Sequence, residues 1–184
     1  MVTNFVNLVL STLTLLTSIF IVLFLVVFLI LKARQDKKRL VFFRRFFHNH
    51  GAVIIFLASL VAVLGSLFFS EFARYSVCVL CWYQRIFMYP ILLVSSIFLF
   101  DKSRALLKVI MSLSFIGAFF ALYHYVIQVF PSNVICEVGG VSCAVRPFLT
   151  FGYISIPMMA LTAFVVIFLT SVFMHNIFLK KKKN

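Results

Sequence analysis

Acidic residues are nearly missing from this 184-residue chain, which has 4 Asp and Glu against 17 Lys and Arg. Only 11% of the residues are charged, whereas 64% are hydrophobic and 25 are Phe. A soluble domain of this length needs far more polar surface, so the composition excludes one. The mean hydropathy of +1.17 instead predicts an integral membrane protein.

The alternating apolar pattern of a transmembrane β-strand is also missing, because the apolar runs are continuous. A spanning helix takes about 20 apolar residues, and five stretches qualify: Phe5–Leu31, Gly51–Phe69, Trp82–Phe100, Val109–Phe130 and about Ile154–Phe173. A cleaved signal peptide fits the first stretch poorly, since no basic segment precedes it and the run is too long. The sequence therefore predicts an all-α integral membrane protein, a four-helix transmembrane bundle plus one additional N-terminal transmembrane helix.

The net charge of +13 is distributed as a topology signal. Of the 17 basic residues, 14 fall between spans one and two, between spans three and four, or at the C-terminus. These segments share one side if every span crosses once, and the positive-inside rule makes that side cytoplasmic. We therefore expect the chain to be surrounded by lipid and not to bind nucleic acid. The predicted organisation is an N-terminal transmembrane helix (1–31), a basic cytoplasmic linker (32–50), a four-helix domain (51–179) and a basic cytoplasmic tail (180–184).

The chain has only four cysteines, and this topology places all of them outside the cytoplasm, where disulfides persist. Cys78 and Cys81 form a Cys-x-x-Cys pair just before the third span. The start of a helix lowers a thiol pKa and favours the reactive thiolate. Cys136 and Cys143 enclose a loop with two glycines that another protein could reach. The cysteines therefore predict two redox-active pairs.

Two cysteine pairs also occur in proteins with other functions, and the residues alone do not exclude these alternatives. The two pairs could be structural disulfides that clamp the outer loops of a membrane scaffold. Four cysteines could also bind zinc, but the second pair is too widely spaced for a zinc ribbon, and we predict no metal site. A transporter is disfavoured because the spans have few polar residues to line a path.

Arg85 is an ionisable residue inside the third span. It follows Cys81 by four residues, so a helix places both on one face. A charge inside a span costs about 2.5–3.5 kcal/mol on insertion scales and indicates a functional site. The alternative is that the side chain extends to lipid phosphates. Beside a dithiol, we interpret Arg85 as a residue that holds a polar redox partner, such as a quinone carbonyl.

His124 and Gln128 share one face of the fourth span. His124 lies seven residues before Pro131, about 10 Å below the end of the span. Arg85 and His124 therefore reach a similar depth, and we expect His124 to contribute to the same site. The alternative is an ordinary hydrogen bond between helices.

These residues together resemble the DsbB/BdbC family of membrane thiol–quinone oxidoreductases. The resemblance covers about residues 50–180 and depends on three motifs in order: Cys78-Val-Leu-Cys81-Trp-Tyr-Gln-Arg85, then His124-x3-Gln128-x2-Pro131, then Cys136 and Cys143. It implies a disulfide-generating enzyme of the bacterial cell (inner) membrane. Such an enzyme re-oxidises a thioredoxin-like, DsbA-like dithiol oxidase and passes the electrons to ubiquinone or menaquinone, which sustains disulfide formation in exported proteins. Vitamin K epoxide reductase-like proteins are less similar, because their loop pair precedes the Cys-x-x-Cys.

The resemblance also implies a role for each site residue. A thiol of the partner attacks Cys136, Cys143 links transiently to Cys78, and Cys81 reduces a quinone held near Arg85 and His124. Two features depart from the family. The first span has no counterpart in the usual four-helix frame, and the loop that carries the second cysteine pair is short.

Overall fold

The computed structural model describes residues 2–34, 37–130, 137–138 and 141–181. It contains five helices: α1 (Val2–Ala33), α2 (Lys37–Leu67), α3 (Val79–Phe100), α4 (Arg104–Val129) and α5 (Ile156–Lys181). Each is long and apolar enough to cross a membrane, which confirms the predicted five-span, all-α architecture. A small antiparallel hairpin adds to it, with two-residue strands β1 (Glu137–Val138) and β2 (Val141–Ser142).

Helix α2 begins well before the second apolar stretch. The basic segment that we predicted as a linker is helical from Lys37 onward, because Lys and Arg are good helix formers. Phe43 and Phe47 in this segment pack edge-on against Phe24 of α1, with ring centroids 5.6 and 5.4 Å apart. The segment is therefore an extension of the second span, while the domain boundaries that we drew around it stay a prediction.

Helices α2 to α5 surround one apolar core, whose most completely buried members include Ile55, Ile91, Phe98, Leu107, Ile110, Phe164 and Ile167. Gly117 of α4 lies so close to the ring of Phe164 in α5 that an added Cβ would overlap it. The lack of a side chain at this position lets the two helices approach closely. The four helices that carry the predicted site therefore form one packed bundle.

Helix α1 packs on the outside of this bundle, against α2 and α5. Its buried residues include three polar ones, Asn7, Ser11 and Thr14, and their spacing places them on one helical face. Ser18, one turn further on, lies 3.4 Å from the hydroxyl of Thr162 in α5. The remaining faces of α1 carry exposed apolar side chains. A narrow polar stripe therefore attaches α1 to the bundle, and the rest of its surface suits lipid.

The connection between α2 and α3 starts with a π-helical turn, Phe68–Phe72, which continues α2. Its wider hydrogen bonding appears as a bond from the N–H of Ala73 to the carbonyl of Phe68. Arg74 then adopts a positive φ of 54°, which turns the chain toward α3. This connection leads to Cys78, and we name the end of the bundle that contains Cys78 the cysteine end.

Candidate functional site

Cys78 and Cys81 occupy the start of α3. Cys78 is the N-cap residue with extended backbone angles, and Cys81 follows in the first turn. The S–H of Cys78 donates to the sulfur of Cys81 across 3.3 Å. A disulfide bond is about 2.05 Å long, so a small movement joins the two atoms. The Cys-x-x-Cys pair is therefore a dithiol in a geometry that can close.

The surroundings of Cys78 act against a low thiol pKa at this residue. Its hydrogen bond to Cys81 and its burial raise the pKa of Cys78 to about 12, and a contact with His124 opposes the rise. No side-chain hydrogen bond to the helix start is present at this N-cap. Our expectation from the helix N-terminus is therefore wrong for Cys78, because the bond to the neighbouring sulfur and the desolvation outweigh it. Cys78 is the partner that keeps its proton.

His124 connects the two cysteine regions. Its Nε2 lies 3.6 Å from the sulfur of Cys78 and 3.2 Å from the carbonyl oxygen of Cys143. The side-chain amide nitrogen of Gln84 donates to Nδ1 across 3.0 Å. Because Nδ1 accepts, Nε2 carries the proton of the neutral ring. His124 therefore donates toward both the Cys78 sulfur and the backbone at Cys143.

Cys143 reaches the same cluster from the loop before α5. It is buried together with Cys78, Leu80 and Ile127, and Gln128 supports the next part of the loop by donating to the carbonyl of Val145 across 3.1 Å. Three of the four predicted catalytic cysteines are thus brought together at the cysteine end. The fourth, Cys136, lies outside the described residues.

The ligand atoms of Cys78, Cys81 and His124 all lie within 4.8 Å of one another. Zinc takes thiolate and imidazole ligands at about 2.0–2.3 Å in a tetrahedral arrangement, so the reduced cluster has the atoms for a three-ligand site. A disulfide between the two sulfurs would remove two of these ligands. The predicted lack of a metal site stays a prediction.

Arg85 lies one turn after Cys81 in the same helix and is buried, with 8% of its surface exposed. Its Nε donates to the hydroxyl of Ser66 and its Nη2 to the Ser66 carbonyl, both at 2.9 Å. The guanidinium carbon lies 5.3 Å from the ring centroid of Trp82. Within the described part of the chain, no carboxylate pairs with Arg85. This buried cation therefore has neutral neighbours, and a guanidinium has five N–H donors of which these bonds use two.

A cavity of about 350 Å³ adjoins this cation, and its lining includes Cys81, Gln84, Arg85 and Ser66. That volume falls within the usual range for small-molecule sites, about 300–1,000 Å³. His124 is not among the lining residues; it faces Cys78 instead. Cys81 and Arg85 thus share a cavity, as their spacing predicts. Arg85 and His124 lie in two neighbouring environments, and the joint site that we expected for them stays a prediction.

Gln84 joins these two environments, since it lines the cavity and also contacts His124. We assigned Gln84 no role from the sequence, although a polar amide inside a span is a recognisable signal. Ser66 was missed as well, and serine is too common in spanning helices to single out. The site therefore contains a bridging amide and an arginine-binding serine beyond the residues that we predicted.

A dithiol at the start of a membrane span, packed against a further loop cysteine, is the arrangement of a membrane protein that exchanges thiols and disulfides. Residues 48–174 match the family model described as disulfide bond formation protein DsbB, and the chain belongs to this family. It is therefore a multi-pass membrane oxidoreductase that forms disulfide bonds.

Several curated proteins are similar to the chain. The SPbeta prophage-derived disulfide bond formation protein B of Bacillus subtilis is 41% identical over 117 residues, which are 63% of this chain and 79% of the relative. Disulfide bond formation protein C of the same organism is 42% identical over 60% of this chain and 82% of its own length. A probable disulfide formation protein C of Halalkalibacterium halodurans is 43% identical over 62% and 85%. No solved structure matches.

Proposed function

We propose that the protein re-oxidises a thioredoxin-like, DsbA-like dithiol oxidase outside the cytoplasm and passes the electrons through two cysteine pairs to a membrane quinone, ubiquinone or menaquinone. This activity would sustain disulfide formation in exported proteins. The proposal narrows the disulfide-forming activity of the family to a donor, an acceptor and a route.

The clustering of three cysteines beside a cavity is the observation that carries the proposal. Cys143 and Cys78 share one buried cluster against which Cys81 packs, the sulfur of Cys78 contacts that of Cys81, and Cys81 lines the cavity with Arg85. Cysteines from a loop and from a helix start therefore meet next to an intramembrane cavity. Such an arrangement suits a relay, whereas two independent structural disulfides do not require it.

The thiol chemistry balances in two exchanges. A thiolate of the partner attacks Cys136 of the Cys136–Cys143 disulfide, and Cys143 leaves as a thiolate. The partner's second thiol then displaces Cys136, so the partner is oxidised and the loop pair is reduced. In the second exchange Cys143 attacks Cys78 of the Cys78–Cys81 disulfide and Cys81 leaves, after which Cys136 displaces Cys78. The two electrons and two protons of the partner now belong to the Cys78–Cys81 dithiol.

The chemistry around the cavity fits a quinone. Arg85 has no carboxylate partner among the described residues, and its N–H donors suit a carbonyl oxygen that gains negative charge on reduction. Cys81 lies at the same cavity, where it would present its sulfur to the ring. A bound quinone would supply the oxidising power: it would take up two electrons and two protons from the Cys78–Cys81 dithiol, and their loss would re-form the disulfide. His124 would orient Cys78 and the Cys143 backbone and not the quinone.

We also propose that the cysteine end faces the outside of a bacterial cell membrane and that the C-terminus is cytoplasmic. The basic residues of the opposite segments support this orientation through the positive-inside rule. It gives the loop cysteines access to exported proteins.

Quinone reduction by the purified protein tests the proposal, with a reduced thioredoxin-like oxidase as donor and wild type beside Cys81→Ser. We expect wild type to turn over, and we expect the variant to lose at least about 1,000-fold in rate, because a serine hydroxyl cannot complete the disulfide. Wild type that reduces no quinone with any donor would favour the scaffold alternative. In that case the cysteines would stabilise the outer loops instead.

A further inference from the structure

We propose that α1 is a wall of the quinone cavity and that it binds the isoprenoid tail of the acceptor, so that it determines which tail lengths the enzyme accepts. This inference rests on the proposed function, because it assigns the cavity beside Cys81 and Arg85 to a quinone. It gives a role to the helix that the family resemblance leaves without a counterpart.

Four residues of α1 line the cavity: Leu10, Leu13, Thr14 and Thr17. Their spacing of three, one and three residues places them along one helical face. On α2, lining residues extend from Leu57 to Ser66, which is about 13 Å at 1.5 Å per residue. The cavity therefore continues along the helix axes, in a shape that suits a chain more than a compact ring.

The polarity of the lining changes along this length. Near one end lie Cys81, Arg85 and Ser66, whose groups suit a polar ring. Away from that end the lining is formed mainly by apolar side chains of α2, α3 and α5, which include Leu57, Ala58, Val61, Met88, Ala163 and Phe164. A ligand that joins a carbonyl-bearing ring to a hydrocarbon tail matches this gradient. The α1 residues Leu13 and Thr17 extend toward the apolar part, because they follow Leu10 down the helix.

Helix α1 is held in place at three levels. At the cysteine end, the side-chain amide of Asn7 donates to the hydroxyl of Tyr75 across 3.2 Å, and Tyr75 itself lines the cavity. Further along, Ser18 meets Thr162. At the other end, Phe24 packs against Phe173 of α5 with ring centroids 5.3 Å apart. A helix attached at both ends and in the middle can act as a defined wall and not only as a membrane anchor.

The position of α1 relative to the family core separates two tasks. The family match covers residues 48–174, and this range contains Cys81, Arg85 and Ser66. Helix α1 lies outside it. The ring end of the cavity is therefore built by the shared family core, while the tail end includes a surface from this chain's additional helix.

Two matched variants of α1 test the inference, Leu13→Trp and Leu16→Trp. Both leucines are exposed, at 47% and 60%, so a larger side chain is compatible with folding at either position. Of these two leucines, Leu13 lines the cavity and Leu16 does not. The measurement is the KM for two quinones with the same ring, one with a short alkyl tail and one with a long isoprenoid tail, using the purified full chain with a reduced dithiol donor.

We expect the ratio of the long-tail KM to the short-tail KM to rise about tenfold in Leu13→Trp, which corresponds to roughly two methylene groups losing their contact with the wall. In Leu16→Trp the ratio should keep its wild-type value. Equal ratios in all three proteins, or an equal loss of kcat with both quinones in Leu13→Trp, would overturn the role of α1 while the quinone function stands. A wild type that reduces neither quinone would refute the proposed function, and this inference with it.

Discussion

Two neighbouring environments at the first turns of α3 are packed differently, one around Cys78 (the Cys78 side, which is closed) and one around Arg85 (the Arg85 side, which is open). The Cys78 side is filled by protein, since the sulfur contacts His124, and the ring of His124 is bonded in turn to Gln84 and to the carbonyl of Cys143. The Arg85 side adjoins a cavity of about 350 Å³, and its cation is held by one serine. Closed packing suits exchange between protein sulfurs at contact distance, whereas an open cavity suits a mobile ligand. In the proposed relay, the start of α3 would therefore receive electrons at Cys78 and release them at the cavity.

The largest expected effect comes from removing the sulfur on the closed side. In Cys78→Ser, no disulfide can form with Cys81, so turnover should fall at least about 1,000-fold. The comparison also predicts a difference between the two thiols. Cys81→Ser should accumulate a Cys78–Cys143 disulfide, detectable by mass spectrometry without reduction, and Cys78→Ser should not accumulate a Cys81–Cys143 one. Equal yields of both linkages would show that the two sides are not distinct.

Removing the cation on the open side should give the next effect. We expect Arg85→Ala to lower kcat/KM for quinone about 100-fold, the scale for losing one preorganised donor to a developing charge. Thiol exchange with the dithiol oxidase should stay at the wild-type rate, because Arg85 contacts neither Cys78 nor Cys143. Steady-state kinetics measures kcat/KM for quinone, and a quenched thiol-exchange assay measures the rate of exchange with the dithiol oxidase.

Arg146→Ala is the matched control for this charge, since Arg146 is exposed in the loop before α5 and should leave both rates unchanged. Arg85→Lys should fall between Arg85→Ala and wild type, because it keeps the charge without the two-pronged contact with Ser66. Unchanged quinone kinetics in Arg85→Ala would remove the arginine from the acceptor site.

The smallest expected effect concerns His124. Its Nε2–H favours the Cys78 thiolate, so His124→Leu should raise the already high pKa of Cys78 further. At a pH well below that pKa, each unit by which the pKa rises lowers the thiolate fraction tenfold. The loss of one hydrogen bond corresponds to about one pKa unit. Alkylation of reduced Cys78 at pH 9 should therefore slow about tenfold. The KM for quinone should not change, because His124 does not line the cavity.

Tyr123→Leu serves as the control for this change, as the neighbouring side chain is exposed on the outer face of α4. It should leave the alkylation rate of Cys78 at the wild-type value. An increased quinone KM in His124→Leu would instead return the histidine to the acceptor site, as the sequence alone predicts.

Hydropathy and cysteine spacing were enough to predict much of this molecule. Continuous apolar runs predict five spans because the bilayer forces backbone groups into helices, and the structure has those helices. The spacing of Cys81 and Arg85 predicts their common face, and both line one cavity. These features depend on local periodicity, which a single sequence contains.

Features that depend on contacts between helices were not predictable in this way. His124 has the depth expected of a quinone ligand, but the rotation of α4 directs it to Cys78. The pairing of Ser66 with Arg85 joins residues of two helices, and no spacing rule relates them. The raised pKa of Cys78 likewise follows from burial and a neighbouring sulfur, which outweigh the helix start.

Because of the π-helical turn after α2, the positions of Tyr75 and Cys78 depend on the number of residues between Ser66 and Cys78. A π turn holds one more residue than an α turn, and one residue corresponds to about 100° of rotation around a helix axis. Removing a single residue from Phe68–Phe72 would therefore turn Tyr75 away from α1 and displace Cys78 relative to Ser66. A substitution in this turn keeps the number of residues and therefore the rotation of Tyr75 and Cys78. A one-residue deletion changes both positions together. Relatives should accordingly vary more in the composition of this segment than in its number of residues.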